Sequence, residues 1–174
     1  MTGVILASVG YDPLGQRVTH NFSQNLKPAT SWNFQAEHLK RLAAEAEIVP
    51  AVNQIEVHPY FTNEAVRRYG QEHQIATEAW SPIAQGKVLN DPTIKQVADK
   101  VGKTPAQVVL RWHIQRGDIV FPKSVTSSRI KENFELFDFE LEPTDIDTIN
   151  ALDKGEDGRT GPNPDRFDYI PQGT

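Results

Sequence analysis

Residues 120–133 read VFPKSVTSSRIKEN, a stretch in which two cations and several hydroxyls surround the start of a helix. Lys123 is a compact positive charge, Arg129 is a planar fork, and Ser124 and Thr126 add hydroxyls. A helix opening near Ser127 presents unpaired N–H groups and the positive end of its dipole. Together these groups suit a phosphate. A capped helix with solvated surface charges accounts for the same residues, and the stretch alone does not choose between the two. Trp80 has a comparable double reading. It ends an apolar run, where a tryptophan is commonly core filler, yet at the end of a strand it can offer its face to a flat ring.

These residues need elements to position them. Leu39, Leu42, Ala43 and Ala46 recur at helical spacing after Asn33, which is suited to cap that helix. Residues 51–57 (AVNQIEV) read as a strand and HPYF as a turn, Thr62 as the cap of a helix running to about His73, and IATEAW as the next strand before the loop SPIAQGK. Asp91 with Pro92 opens a helix whose stripe is Ile94, Val97, Ala98 and Val101 and which Gly102 ends. Thr104, Pro105 and Gln107 open another in a capping-box pattern, closed by Gly117. DIVFP is a short buried strand, the cation-bearing segment leads into a further helix, and Ile146, Ile149 and Leu152 mark a last one. Residues 1–30 lack clean periodicity, and the Gly- and Pro-rich residues from Gly155 onward read as a loop or terminal arm.

The chain has 174 residues, a net charge of −5, 38% hydrophobic and 24% charged residues, which is the make-up of a globular protein long enough for one core. The acidic balance argues against a general nucleic-acid binder, because the basic residues form no stripe outside residues 120–133. The absence of cysteine excludes disulfides and thiolate metal sites. No apolar run has the length of a membrane span and the N-terminus lacks a basic signal-peptide flank, so a cytoplasmic location is expected. No pair of histidines stands at ligand spacing with a carboxylate, so no metal is expected.

Strands alternating with helices imply a parallel sheet in an α/β protein, open or closed. The dinucleotide fingerprint G-x-G-x-x-G is missing, which disfavours a Rossmann unit. In a (β/α)8 barrel, by contrast, a phosphate site commonly follows the last strands, where residues 120–133 lie. A complete barrel takes roughly 250 residues, and about four strand–helix units fit here, so half a barrel is predicted.

VPAVNQIEVHPYF, EAWSPIAQGK, GKTPAQVVLRWHIQRG, VFPKSVTSSRIKENFELFDFEL and LDKGEDGR, in that order, resemble the C-terminal half of an aldo-keto reductase, most similar to the 2,5-diketo-D-gluconate reductase type. The resemblance implies a partial (β/α)8 (TIM) barrel, about strands five to eight with their helices, over residues 32–174, with residues 1–31 as an atypical segment outside it. It implies NADP(H) as cofactor and reduction of a small carbonyl compound by hydride transfer. By resemblance Lys123, Ser124, Val125, Thr126 and Arg129 match positions that grip the 2′-phosphate, and Glu132 and Asn133 positions that contact adenine. Trp80 matches an aromatic that stacks on nicotinamide, Ser81, Ile83 and Gln85 residues that cover the pyrophosphate, and Gln54 and Asn33 the pair that binds the carboxamide. His58, in a turn the family uses structurally, and His113, in a helix outside the barrel, are assigned no catalysis.

Two departures stand out. Thr30, Ser31, Trp32 and Asn33 replace the usual Gly-Val-Ser-Asn, putting a bulky Trp32 where a serine helps hold the carboxamide, and Ser127 and Ser128 replace a common Pro-Glu. The tyrosine acid and its lysine, aspartate and histidine partners come from strands two to four of the family, outside the resemblance, so the catalytic residues assigned are none. Tyr11 and His20 are not embedded in the family's motif. The expectation is a truncated reductase, inactive alone, whose exposed barrel edges invite self-association. A non-catalytic NADP-binding module and the remnant of a disrupted gene are the readings from other classes.

Overall fold

The computed structural model describes residues 10, 11, 17, 18 and 30–166. Most of the atypical segment 1–31, including His20, the side chains of Tyr11 and Trp32, and the tail beyond residue 166 lie outside the described residues. The expectation for Trp32 at the carboxamide therefore falls there too. A short antiparallel pair, β1 (Gly10–Tyr11) with β2 (Arg17–Val18), comes first in the chain. Next is a parallel sheet of four strands in the order β3 (Thr30–Trp32), β4 (Val52–Glu56), β5 (Ala76–Trp80) and β6 (Ile119–Val120).

Parallel neighbours need a crossover, and helices supply each one. α1 (Ala36–Glu45) links β3 to β4, α2 (Glu64–Glu72) links β4 to β5, and α3 (Pro92–Val101) with α4 (Pro105–Gln115) lies between β5 and β6. α5 (Ser127–Phe134) and α6 (Pro143–Asn150) follow β6. The strongest boundary signals are realised as read: the Asp91 side chain accepts from the Thr93 amide, Gly102 ends α3 at φ 67°, and Thr104 and Gln107 close a capping box on α4.

Two predicted caps are corrected. Asn33 does not cap α1; Gln35 takes that position, and Asn33 turns out of β3 at φ 55°. Thr62 does not cap α2; Asn63 precedes the helix, and the Thr62 hydroxyl donates instead to Asp153 Oδ2 at 2.7 Å. In both cases a tertiary partner far along the chain took the side chain that a local pattern assigned to the helix end. Ala43 is also exposed, and of the α1 residues only Leu39 is fully buried.

The core lies between the sheet and α2, α3, α4 and α6, built from Ile55, Val57, Ala79, Ile94, Val108, Val109, Trp112 and Ile149. Under it runs a buried charged network. Asp118, just before β6, accepts from Arg67 Nε of α2 at 2.8 Å and from His113 Nδ1 of α4 at 2.9 Å, while His113 Nε2 donates to Pro82 O at 3.0 Å. Burial alone would push the Asp118 carboxyl up, but the His113 hydrogen bond and the surrounding charges of His113, Arg67 and Arg116 hold it below the usual carboxylate range. His113 therefore has a structural role, locking α4 to the loop after β5. Asp118→Asn removes the buried counter-charge of Arg67 and leaves it only the exposed Glu64 at 2.9 Å, so urea unfolding should report a loss of about 3 kcal/mol, the low end for breaking a buried pair. Glu45→Gln, which breaks the exposed pair with Arg41, should cost under about 1 kcal/mol.

Candidate functional site

Because the strands run parallel and in register, with Trp32 opposite Gln54 and Glu56 opposite Trp80, their C-terminal ends share one end of the sheet. At that end the left-handed turn at Asn33 aims its side chain at β5, and Trp80 Nε1 donates to Asn33 Oδ1 at 2.6 Å. The Asn33 amide donates to Gln54 O at 2.7 Å, so the turn is tied to β4 as well. Gln54 donates through Nε2 to the buried Glu78 on β5, and among the described residues its Oε1 receives no hydrogen bond. Asn33, Gln54 and Trp80 are thus gathered at one end, with the indole half-buried.

The loop after β5 has an unusual backbone. Ser81, Ala84 and Gln85 have φ of 51°, 48° and 56°, and Gly86 follows at 89°. Left-handed backbone costs a non-glycine residue roughly 1–2 kcal/mol. Internal turns offset this cost, the Ala84 amide donating to Ser81 O and the Gly86 amide to Ile83 O, both at 2.8 Å. Ser81 and Ile83 are half-buried and Gln85 is exposed.

The cation-bearing segment follows β6. Ser124 Oγ accepts from the Thr126 amide at 3.2 Å, forming a turn that ends at the start of α5. Thr126 precedes α5 without making a side-chain cap, so no hydroxyl takes up the first-turn N–H groups. Lys123 and Arg129 are exposed, and among the described residues neither lies within ion-pair distance of a carboxylate. Val125 is 92% exposed and does not contribute to the core, while Glu132 and Asn133 are half-buried. Gln107 Nε2 holds α5 in place by donating to Glu132 O at 3.3 Å and Glu135 O at 3.2 Å. Among the described residues no hydrogen bond joins this segment to Asn33, Gln54 or Trp80; what they share is the end of the sheet from which they emerge.

Sequence reasoning passed over one residue here, Glu56. Its carboxylate, 1% exposed at the end of β4, receives hydrogen bonds at Oε1 from the Thr160 amide at 2.5 Å, the Thr160 hydroxyl at 2.6 Å and His58 Nε2 at 3.0 Å. The Gly161 amide donates to Oε2 at 3.1 Å. Within the stretch read as a loop or terminal arm, residues 158–161 are therefore docked as a strap against the end of β4. Burial pushes the Glu56 carboxyl up, but the hydrogen bonds from His58, Thr160 and Gly161 outweigh burial and lower it from 4.5 to about 2. The available signal was an acidic residue two positions before a histidine, in a strand that also carries the polar Asn53 and Gln54, a pattern that names no distant partner. Tyr60, nearby, is not poised as an acid: burial and the hydrogen bond it donates to Asp91 Oδ2 at 2.8 Å push it up to about 12.

A parallel sheet wrapped by its crossover helices, with functional groups gathered at the strands' C-terminal ends, defines half of a (β/α)8 barrel. The chain belongs to the aldo/keto reductase family, which residues 29–154 match. It is 53% identical over 137 residues to an aldo-keto reductase of Mycolicibacterium smegmatis, covering 79% of this chain and 49% of that protein. It is 48% identical over 137 residues to methylglyoxal reductase DkgA of Escherichia coli, covering 78% and 49%. Among solved structures, a variant of Gox0644 in complex with NADPH superposes with a TM-score of 0.76 at 45% identity, over 79% of this chain and 51% of that one. The chain thus spans about half the length of the relatives it matches.

Because Glu56 sits far below its ordinary value in the folded state, its contribution is full above about pH 4.5 and disappears as pH falls towards about 2. Acid unfolding followed by circular dichroism should show that loss across this window, and Glu56→Gln should flatten the slope there. An unchanged slope would mean that the carboxylate is not held as described.

Proposed function

We propose that this chain is the nucleotide-holding half of an NADPH-dependent reductase of small carbonyl compounds, and that alone it binds the nucleotide without turning over a carbonyl. The observation that carries this reading is the set of groups at one end of the sheet: an anchored half-buried indole and, among the described residues, an amide with a spare acceptor and cations without a carboxylate partner at a helix start without a side-chain cap. A dinucleotide phosphate needs each kind of group. The solved Gox0644 relative, in complex with NADPH, supports the choice of ligand.

Each residue then has a definite task. Lys123, Ser124, Val125, Thr126 and Arg129 would surround the 2′-phosphate, Lys123 as a point charge, Arg129 as a fork, and the Val125 amide and Thr126 hydroxyl as donors. Glu132 and Asn133, one turn further along α5, would flank the adenine. Ser81, Ile83 and Gln85 would line the pyrophosphate through a loop whose backbone is left-handed at Ser81, Ala84 and Gln85. Trp80 would stack on the nicotinamide, and Gln54 and Asn33 would accept from and orient its carboxamide. NADPH, when bound, supplies the hydride; the chain's own residues bind and orient. No residue is assigned proton transfer, because the tyrosine, lysine, aspartate and histidine implied by the resemblance come from strands two to four, whereas residues 29–154 match the family and resemble its strands five to eight.

A self-associating nucleotide-binding module is the second reading. Among the described residues β3 and β6 each pair on one side alone, and Ile130, Phe134 and Phe137 are 44%, 74% and 52% exposed around α5. Sedimentation at rising concentration should then show a dimer or larger species; a monomer throughout removes this reading.

Calorimetric titration tests the first reading directly. NADPH should saturate the chain more tightly than NADH. Arg129→Ala should weaken NADPH by about tenfold to hundredfold, from roughly 1.5–3 kcal/mol per charge-assisted hydrogen bond, and leave NADH nearly unaffected. Equal affinity for the two nucleotides, or none for either, overturns the assignment.

A further inference from the structure

The strap that reaches Glu56 is docked along its whole length. Asp153 accepts from Thr62 N at 3.2 Å and Oγ1 at 2.7 Å, and the Lys154 amide donates to Tyr60 O at 3.0 Å. Lys154 Nζ lies 3.8 Å from the centre of the Tyr60 ring, and the Arg159 guanidinium 4.2 Å from that of Phe61. A Cβ at Gly158 would fall 1.7 Å from Tyr60 O, so only glycine allows the strap to lie this close to the turn.

The strap ends against Trp80. A Cβ built at Gly161 would come 2.4 Å from Trp80 Cη2 and 3.3 Å from Cζ2, so the backbone of Gly161 rests on the benzo edge of the indole. At its other end the same ring is held by Asn33 through Nε1 at 2.6 Å. Glu56 stands directly opposite Trp80 in the register of β4 and β5, and takes the amides of Thr160 and Gly161. Arg159 Nη1, 3.8 Å from Oε2, sets a positive charge beside the same carboxylate.

We propose that Glu56 is a positioning residue: its carboxylate anchors residues 159–161, and this strap fixes the indole of Trp80 from the benzo edge while Asn33 fixes Nε1. The anchor is suited to the task because only a deprotonated carboxylate can accept from two adjacent amides, a hydroxyl and an imidazole at once. Strap and ring then move as one unit. A carboxylate that merely stabilised the chain would leave the indole indifferent to the strap, and this difference is measurable. The inference concerns the placement of Trp80 in the protein itself and stands whether or not a nucleotide binds.

The test is NMR of the full chain, with the Trp80 indole N–H signal assigned by its disappearance in Trp80→Phe. In Glu56→Gln one carboxylate oxygen becomes an NH2 group that cannot accept while the other oxygen still can, so at least one of the Thr160 and Gly161 amides should exchange about tenfold faster, as expected for the loss of one hydrogen bond. The Trp80 indole signal should shift or broaden at the same time. Gly161→Ala keeps the Glu56 carboxylate as an acceptor, although the new methyl group comes 3.3 Å from Oε2, and drives that methyl group into the indole edge, so it should move the same Trp80 signal. Faster amide exchange with an unmoved indole signal overturns the proposal, because the anchor would then be structural only. If Glu56→Gln does not fold, Gly161→Ala decides alone: an unmoved Trp80 signal overturns it.

Discussion

Parallel pairing of β3 to β6 in sequence order is the constraint on which the rest of the structure depends. Each crossover must return the chain to the same end of the sheet, and that return makes distant residues neighbours. Asn33, Gln54, Glu56, Trp80 and the segment after β6 have no local reason to meet. They meet because Glu56 pairs with Trp80, Gln54 with Trp32 and Ala79 with Val120. Beneath the sheet the same constraint brings Arg67, His113 and Asp118 together from α2, α4 and the start of β6, where burial makes their pairing stringent.

The two halves of the candidate site are built in different ways. The ring end is fixed on both sides, by Asn33 at Nε1 and by Gly161 at the benzo edge, and the carboxylate of Glu56 lies behind that second contact. The cation end is open: α5 buries none of its side chains, and Lys123 and Arg129 extend into solvent. Such a division suits a ligand with a flat ring that needs orientation and a charged end that needs attraction. A ring held on both sides has few poses open to it, whereas exposed side chains keep their rotamer freedom until a partner orders them.

The sequence made much of this legible where the signal was local. Asp91 with Pro92, Thr104 with Gln107, and Gly102 each name a helix end, because a cap is a contact between residues two or three apart. It misled where a polar side chain had a distant competitor. Asn33 and Thr62 looked like caps, and each was taken by a partner on another element, Trp80 and Asp153. Glu56 went unnoticed for the same reason, since its donors at residues 160 and 161 follow more than a hundred positions later.

The amino-acid sequence by itself determined the alternation of strands and helices, the most strongly marked helix ends, the cation cluster after the last strand and, through ordered motifs, the aldo/keto reductase family. All of these are encoded in neighbouring residues. Only the tertiary structure decided that Asn33 holds an indole, that His113 and Asp118 lock a helix to the sheet, and that residues 159–161 form a strap fastened by a buried carboxylate. Those outcomes depend on burial and on partners brought together by chain return, and a carboxylate's choice of donors is settled only when water has been excluded around it.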